Sequence, residues 1–220
     1  MKTLYETIMS KSGVGKMYQI QTWLDEHKVK NYKINRAGEI DVSGDVKLIK
    51  YEFSQLPDYI QFGTVKGNFD CSAVGLTTLK GMPRVIKSSF NCSGNKLTSL
   101  EGAPEEVWGA FDCSSNQLDS LEGCPEAYSD FLCSHNNLTS LEGAPKVIKG
   151  IFACYYNKLK DLKGGPEEVR KNFLCDHNNL RDLKGAPKTV MGFFNCSDNK
   201  TKFTEKDVRK VCKVSGEITV

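Results

Sequence analysis

The stretch Phe90-Asn-Cys-Ser-Gly-Asn-Lys-Leu-Thr-Ser-Leu-Glu-Gly-Ala-Pro-Glu-Glu-Val-Trp-Gly-Ala110 decides the fold, because the chain repeats it with small changes on both sides. Its first residue recurs as Phe69, Phe90, Phe111, Phe131, Phe152, Phe173 and Phe194. The cysteine two residues later recurs as Cys71, Cys92, Cys113, Cys133, Cys154, Cys175 and Cys196, at intervals of 21, 21, 20, 21, 21 and 21 residues. A fixed period of this length indicates a repeat architecture, in which each unit buries its apolar side against its neighbours.

Each position of the unit has a physical reading. The Phe-x-Cys triplet predicts a short strand with both side chains pointing inward, and stacked units place these strands in parallel, roughly 4.8 Å apart. An asparagine follows the strand, where its amide can pair with backbone groups that the bend exposes. Val74 occupies this place in the first unit, so the asparagines begin with Asn95. A proline in each of the first six units, such as Pro104, argues against a helix on the opposite side and favours extended or polyproline-type segments there.

The units resemble leucine-rich repeats, L-x-L-x-x-N-x-L, with Phe and Cys at the first two apolar positions. Their length and their proline resemble the short repeats of bacterial effector proteins. The resemblance covers residues 69–200. It implies a leucine-rich-repeat solenoid of seven 20–21-residue repeats, with a parallel concave sheet and a mostly non-helical convex side.

The flanking segments are expected to cap the open ends of the stack. In the N-terminal cap, residues 1–68, apolar spacing predicts a helix from about Val14 to His27, and a hairpin is expected over Tyr32–Val42. Ile40–Asp45 echoes the repeat and is interpreted as a degenerate copy, followed by a longer loop through Pro57. In the C-terminal cap, residues 201–220, a capping box is expected at Thr204 and Asp207. It predicts a short helix over about Glu205–Lys213 that turns Val208, Val211 and Cys212 inward.

Three segments together narrow the resemblance: Asn31–Val46, Phe62–Cys71 and the recurring Leu-Thr-Ser-Leu-Glu-Gly-Ala-Pro. They resemble small leucine-rich-repeat proteins encoded by large tailed bacteriophages, over nearly the whole chain. The resemblance implies expression inside an infected bacterium and carries no catalytic residue to transfer. The chain also shows no counterpart of the catalytic domain that follows the repeats of ubiquitin-ligase effectors. Without an apolar leader at Met1–Gly13 or a membrane-length apolar stretch, we expect the host cytoplasm and no membrane contact.

The residues that usually carry chemistry favour structural roles. The cysteine ladder is expected to be a reduced, buried column, because stacked strands hold side chains too far apart for a disulfide. It lacks the mixed ligands and closed geometry of a metal site. Cys124 is expected to be partly exposed on the convex side, and no histidine stands near it in the sequence. Ser12–Lys16 resembles a phosphate loop but lacks the required residues at Ser10 and Met17. We therefore expect no catalytic, cofactor or metal site, and no enzyme activity.

The outward positions of the strands change character along the chain. The first three units carry small and polar residues there, whereas units four to seven bring in apolar and aromatic ones. The candidate partner-binding residues are Leu132, His135, Ile151, Tyr155, Tyr156, Leu174, His177 and Phe193. His135 and His177 occupy the same place two units apart, too far for a shared metal ion. A clustered apolar patch on a polar face is typical of a binding surface; drift on a tolerant surface, or burial under a cap or second subunit, would produce the same pattern.

The charges divide along the chain. Residues 88–145 contain one basic and nine acidic residues, a net −8, while residues 146–213 contain sixteen basic and eight acidic, a net +8. We expect a protein partner, namely a host bacterial protein that the chain antagonises or modulates, such as an enzyme or defence complex. Two alternatives stay open: nucleic-acid binding through the basic C-terminal half, which predicts strong salt dependence, and a structural or self-assembling role.

Overall fold

The chain folds into a parallel β-solenoid of about eight turns, and the computed structural model describes residues 13–48 and 53–220. One side is a nine-stranded parallel sheet, the front sheet. Its strands are Val46–Lys47, Phe69–Asp70, Phe90–Asn91, Phe111–Asp112, Phe131–Leu132, Phe152–Ala153, Phe173–Leu174, Phe194–Asn195 and Ile218–Thr219. Each repeated phenylalanine pairs with the next in register, as the sequence pattern predicts. We number the solenoid turns from Phe69 as turn 1 to Phe194 as turn 7.

The opposite side also forms sheets. The first rear sheet contains Tyr32–Ile34, Ile40–Val42, Phe62–Val65, Val85–Ile86, Glu106–Val107 and Glu126–Ala127, and the second contains Val147–Ile148, Glu168–Val169, Thr189–Val190 and Lys213–Val214. The prediction of non-helical, extended segments on this side is confirmed, but they pair as parallel strands rather than running as isolated polyproline segments. The break between the rear sheets follows Glu126–Ala127, in the one unit that is a residue shorter than the others.

The interior between the sheets is filled as the pattern predicts. The phenylalanines form a continuous stack with neighbouring ring centroids 5.0–5.9 Å apart from Phe69 to Phe194. All nine cysteines are free thiols, and those of the ladder are buried. The Cys92 thiol, for example, donates to the carbonyl of Asp112 in the next strand, at 3.3 Å. The ladder therefore packs as small apolar side chains with weak polar contacts to the backbone.

The buried asparagines tie each turn to the one before it. Asn136 accepts from the Leu118 N–H at 3.0 Å and donates to the carbonyls of Cys113 and Cys133, at 3.1 and 3.2 Å. The same pattern begins at Asn95, whose oxygen accepts from the Leu76 N–H at 3.0 Å. These amides satisfy backbone groups that would otherwise be buried without partners.

The N-terminal cap contains the helix and the hairpin that the sequence predicts, but a different segment from the predicted one forms the first front strand. The N-terminal helix spans Gly13–Glu26, and the hairpin pairs Tyr32–Ile34 with Ile40–Val42. Ile40–Val42 does not copy the Phe-x-Cys strand, because it pairs with Phe62–Val65 in the rear sheet. The front-sheet position belongs instead to Val46–Lys47, beside Phe69–Asp70. The prediction chose the wrong segment because two nearby stretches share the alternation of apolar residues. The loop expected before Pro57 lies partly outside the described residues.

The C-terminal helix spans Glu205–Val211 and begins with the expected capping box between Thr204 and Asp207. Val208 and Cys212 are buried, but the prediction for Val211 is wrong, because its side chain is 45% exposed. The helix ends before Lys213, since Lys213–Val214 leaves the helix to pair with Thr189–Val190. Within residues 13–48 and 53–220, no helix combines the length and the apolar character needed to cross a bilayer.

Candidate partner-binding face

The outward surface of the front sheet, here called the front face, brings the candidate residues together. Leu132 and Leu174 flank Ala153 in one row across three paired strands. Ile151 and Phe193 lie in the neighbouring row, where their carbonyls accept from the N–H groups of the preceding turns' phenylalanines. Most of the patch is half-buried, and Phe193 is 37% exposed. The candidate residues therefore share one face over turns 4 to 7, with the polar Asn172 between Ile151 and Phe193.

A column of stacked rings borders this patch. Tyr156 lies between His135 and His177, with ring centroids 4.6 and 4.2 Å away. Tyr155 packs edge-on against both His135 and Tyr156. Tyr156 is 47% exposed and Tyr155 is half-buried, so both tyrosines keep surface that a partner could contact. The Tyr156 ring therefore separates the two histidines, which lie two turns apart as the sequence predicts.

The stacked rings sit on strained backbone. His135, Tyr156 and His177 have φ values of 54°, 52° and 51°. The same position of every other turn is also left-handed, with Ala73, Gly94, Ser115 and Asp198 at 52–68°. This left-handed conformation costs a residue with a side chain about 1–2 kcal/mol. This conformation was not among the predictions, although Gly94 in the same place of the repeat is a signal for it. The rings are thus projected from positions where a glycine would fit with less strain.

The apolar patch also removes a hydrogen-bond pattern found elsewhere on the front face. In turns 1, 2, 3 and 7 an Asp or Asn between Phe and Cys accepts from the N–H and hydroxyl of the serine two residues later. In turn 4 that position is Leu132, and the Ser134 hydroxyl is buried without a hydrogen-bond partner among the described residues. An unsatisfied buried hydroxyl costs about 1–3 kcal/mol.

The charge of the front face differs from that of the whole chain. Over turns 1 to 7, the residue before each Phe, the one after it and the two after each Cys include no Lys or Arg. They include the carboxylates Asp70, Asp112, Asp130, Asp176 and Asp198. Asp176 and Asp198 flank His177, with oxygens 2.9 and 3.6 Å from its two ring nitrogens. The basic residues of the C-terminal half are therefore carried elsewhere on the solenoid.

A second set of exposed aromatic residues was missed by the sequence reasoning. Trp108 and Tyr128 lie on the rear face and are 52% and 42% exposed. The Lys87 ammonium lies 3.5 Å from the centroid of the Trp108 ring. The Lys149 ammonium lies 5.0 Å from the centroid of the Tyr128 ring. Trp108 and Tyr128 occupy the same place in consecutive repeats, and this alignment was the signal that could have identified them. They were missed because the rear segments were treated only as connections between front strands.

The other residues considered for chemistry, the segment Ser12–Lys16 and Cys124, have structural roles where the structure describes them. Gly13–Lys16 forms the first turn of the N-terminal helix, while Ser10 and Ser12 lie outside the described residues. Cys124 is partly exposed, as expected, and its thiol donates to the Gly143 carbonyl at 2.9 Å. Burial raises its pKa to about 12, so the thiol stays protonated at neutral pH. In the described part of the chain, no group of three or more His, Cys, Asp or Glu is arranged to hold a metal ion.

Comparison with known proteins gives no relationship from which a role could be transferred: the chain matches no family model, no curated protein and no solved structure.

Proposed function

We propose that this chain is a non-enzymatic leucine-rich-repeat protein that binds another protein through the front face of turns 4 to 7. The resemblance to phage-encoded repeat proteins extends the proposal to a host bacterial protein as the partner, which the chain antagonises or modulates. A host enzyme or a defence complex fits this role. The contact residues we propose are Leu132, His135, Ile151, Tyr155, Tyr156, Leu174, His177 and Phe193.

The observation that carries the proposal is the cost of the patch to the fold. Leu132 leaves the Ser134 hydroxyl without a partner where Asp112 satisfies Ser114 one turn earlier. Tyr156 places a large ring on a left-handed position that every turn shares, and it keeps about half of its surface in water. Folding stability alone favours polar or smaller residues at such positions. Exposed apolar and aromatic residues that cluster on one face at a cost to stability are typical of an interface, where aromatic residues are enriched among those that supply most of the binding energy.

The charge of the front face supports a protein partner over nucleic acid at this site. Its carboxylates would repel a phosphate backbone, whereas a protein segment with apolar and cationic side chains would match them. Nucleic acid remains a second candidate at other surfaces, because residues 146–213 carry a net +8 and their lysines and arginines lie away from the front face. That candidate predicts an affinity that falls steeply with salt.

The test is affinity capture from bacterial lysate with three proteins: wild type, a Tyr155→Ala/Tyr156→Ala variant and a Trp108→Ala/Tyr128→Ala variant. The last removes two exposed aromatic rings from the rear face and is the matched control. We expect one protein to be captured by the wild type and the control and lost with the front-face variant. The purified partner should then bind with an affinity reduced at least about a hundredfold by the front-face change, as for the loss of a hot spot of about 3 kcal/mol.

Circular dichroism of each variant checks that the fold is intact. Equal capture by a folded front-face variant would contradict the assigned surface. If only nucleic acid is recovered, in a manner abolished by salt, the second candidate replaces the first.

A further inference from the structure

A row of charges runs along the corner where each turn passes into the rear sheet. It consists of Lys80, Glu101, Glu122, Glu142, Lys163 and Lys184, one from each of turns 1 to 6. All are exposed, and each directly precedes a glycine with φ between 82° and 95°. Because the backbone repeats in this way, the side chains form a straight row with a spacing of roughly 4.8 Å. The row is acidic in turns 2 to 4 and basic in turns 5 and 6.

The acidic half of the row lacks internal compensation. Glu101, Glu122 and Glu142 form no ion pair within the described residues, and the N–H of each is held by a serine hydroxyl at 2.9–3.1 Å. Glu101, Asp119 and Glu122 together line a surface cavity of about 420 Å³. Three carboxylates around one depression repel each other unless a cation enters.

The basic half is compensated only in part. Lys163 and Lys184 contact Asp161 and Asp182 of their own turns, at 3.2 and 3.4 Å. Both lysine side chains are more than 60% exposed, so these pairs are weak and leave the ammonium groups open to further partners. Lys160 and Arg181 are exposed in the same two turns and form no ion pair in the part of the chain that the structure describes, so they add positive charge to this corner.

The arrangement is complementary to itself under a two-fold rotation. If a second copy lies antiparallel, with the axis between turns 4 and 5, turn 4 faces turn 5 and turn 3 faces turn 6. Glu142 then meets Lys163 of the second copy, and Glu122 meets Lys184. Since both copies share one repeat spacing, all such contacts come into register together, as an isologous interface requires.

Charged residues beside the corner row also face opposite charges under the same two-fold rotation. Asp119 of turn 3 faces Arg181 of turn 6, which would bring a guanidinium to the acidic cavity. Beside the corner row, on the residues that follow the prolines, Glu126 of turn 3 faces Lys188 of turn 6, and Lys146 of turn 4 faces Glu167 of turn 5. All six of these side chains are exposed. The two-fold axis thus pairs opposite charges in more than one row, although Glu167 and Lys188 also pair with each other within one copy.

We propose that this corner is a self-association surface through which two copies of the chain dock antiparallel about a two-fold axis between turns 4 and 5. The contact is electrostatic, so it is weak and sensitive to salt. It uses a different surface from the front face and leaves that face free for another protein, so its test is independent of the proposed function.

Analytical ultracentrifugation of the full chain at low and high salt tests the proposal. We expect a monomer–dimer equilibrium whose Kd rises at least about tenfold between 0.1 M and 1 M salt, where the Debye length falls from about 10 Å to about 3 Å. E122K and K184E should each raise Kd at least about tenfold, because each change acts twice across the two-fold axis. E217K adds the same charge as E122K at an exposed position directly before the C-terminal strand, away from this corner, and should leave Kd unchanged.

The decisive comparison is the charge swap. The double variant E122K/K184E keeps the wild-type net charge and restores opposite charges across the axis, so it should dimerise like the wild type. An equimolar mixture of E122K and K184E should also recover dimers, as mixed pairs. A wild type that stays monomeric at about millimolar concentration in low salt, or a dimer that E122K does not weaken, would overturn the proposal.

Discussion

Replacing Asn136 with alanine tests how the turns are held together. Asn136 is 7% exposed, and its amide bonds one N–H and three carbonyls at 3.0–3.3 Å. Each carbonyl accepts a second hydrogen bond, two of them from Asn116 and Asn157 and the third from the Ser115 N–H. The Leu118 N–H has no other hydrogen bond within the described residues. Alanine would leave this N–H buried without a partner, at a cost of about 1–3 kcal/mol, and would remove one hydrogen bond of about 0.5–1.5 kcal/mol from each carbonyl. Because water can enter part of the space of the lost amide, we expect the lower end for each, a total loss of about 2.5 kcal/mol in the free energy of unfolding.

Asn137 is the matched control, since it is the same residue type one position away. Its backbone N–H bonds the Leu118 carbonyl, and its side chain makes no hydrogen bond within the described residues. Asn137→Ala should therefore change stability by no more than about 0.5 kcal/mol. Urea unfolding followed by circular dichroism gives both values from the midpoint and slope. Equal effects of the two substitutions, or a loss below about 1 kcal/mol for Asn136→Ala, would refute the account of the asparagine ladder.

Two further predictions concern the core. Phe194→Ala removes a buried ring whose centroid lies 5.0 Å from that of Phe173 and should cost about 3–5 kcal/mol, whereas Phe193→Ala, its half-exposed neighbour, should cost little in the same urea experiment. For the cysteines, burial raises the thiol pKa, to about 12 for Cys124 and Cys196 and about 11 for Cys212. The unfolded thiols ionise near 8.5, so the folded state holds more protons above that pH, and stability should fall as the pH rises through 9 to 10. Unfolding midpoints from pH 7 to pH 10 and iodoacetamide labelling at pH 8 check this; rapid labelling of the native protein would contradict it.

The repeat allowed the inward-facing positions to be predicted from sequence, because the role of each position depends on the properties of the residue that occupies it. A buried phenylalanine, a buried cysteine and an asparagine that pairs with the backbone recur at one interval, and the structure has them where the interval puts them. The helices at both ends were predictable for a similar local reason, namely apolar spacing in Gly13–Glu26 and the capping box at Thr204.

The errors arose where a segment had two possible neighbours. Ile40–Val42 and Val46–Lys47 both suit the first front strand by composition, and pairing with Phe69 selects the second. Val211 has the apolar character of a core residue, yet it is the last residue of a helix that turns Val208 inward, and it stays 45% exposed. For the first front strand the deciding interaction joins residues that are distant in the sequence.

For the candidate face, the sequence alone determined that apolar and aromatic residues cluster at the outward positions of turns 4 to 7, because alternation along a strand separates the two faces. Only the tertiary structure decided that Tyr156 is stacked between two histidines, that Ser134 loses its partner and that the rear segments pair as sheets. The physical reason is that alternation is a property of one strand, whereas ring stacking, hydroxyl burial and strand pairing depend on the register between turns and on a backbone conformation that residue type does not specify.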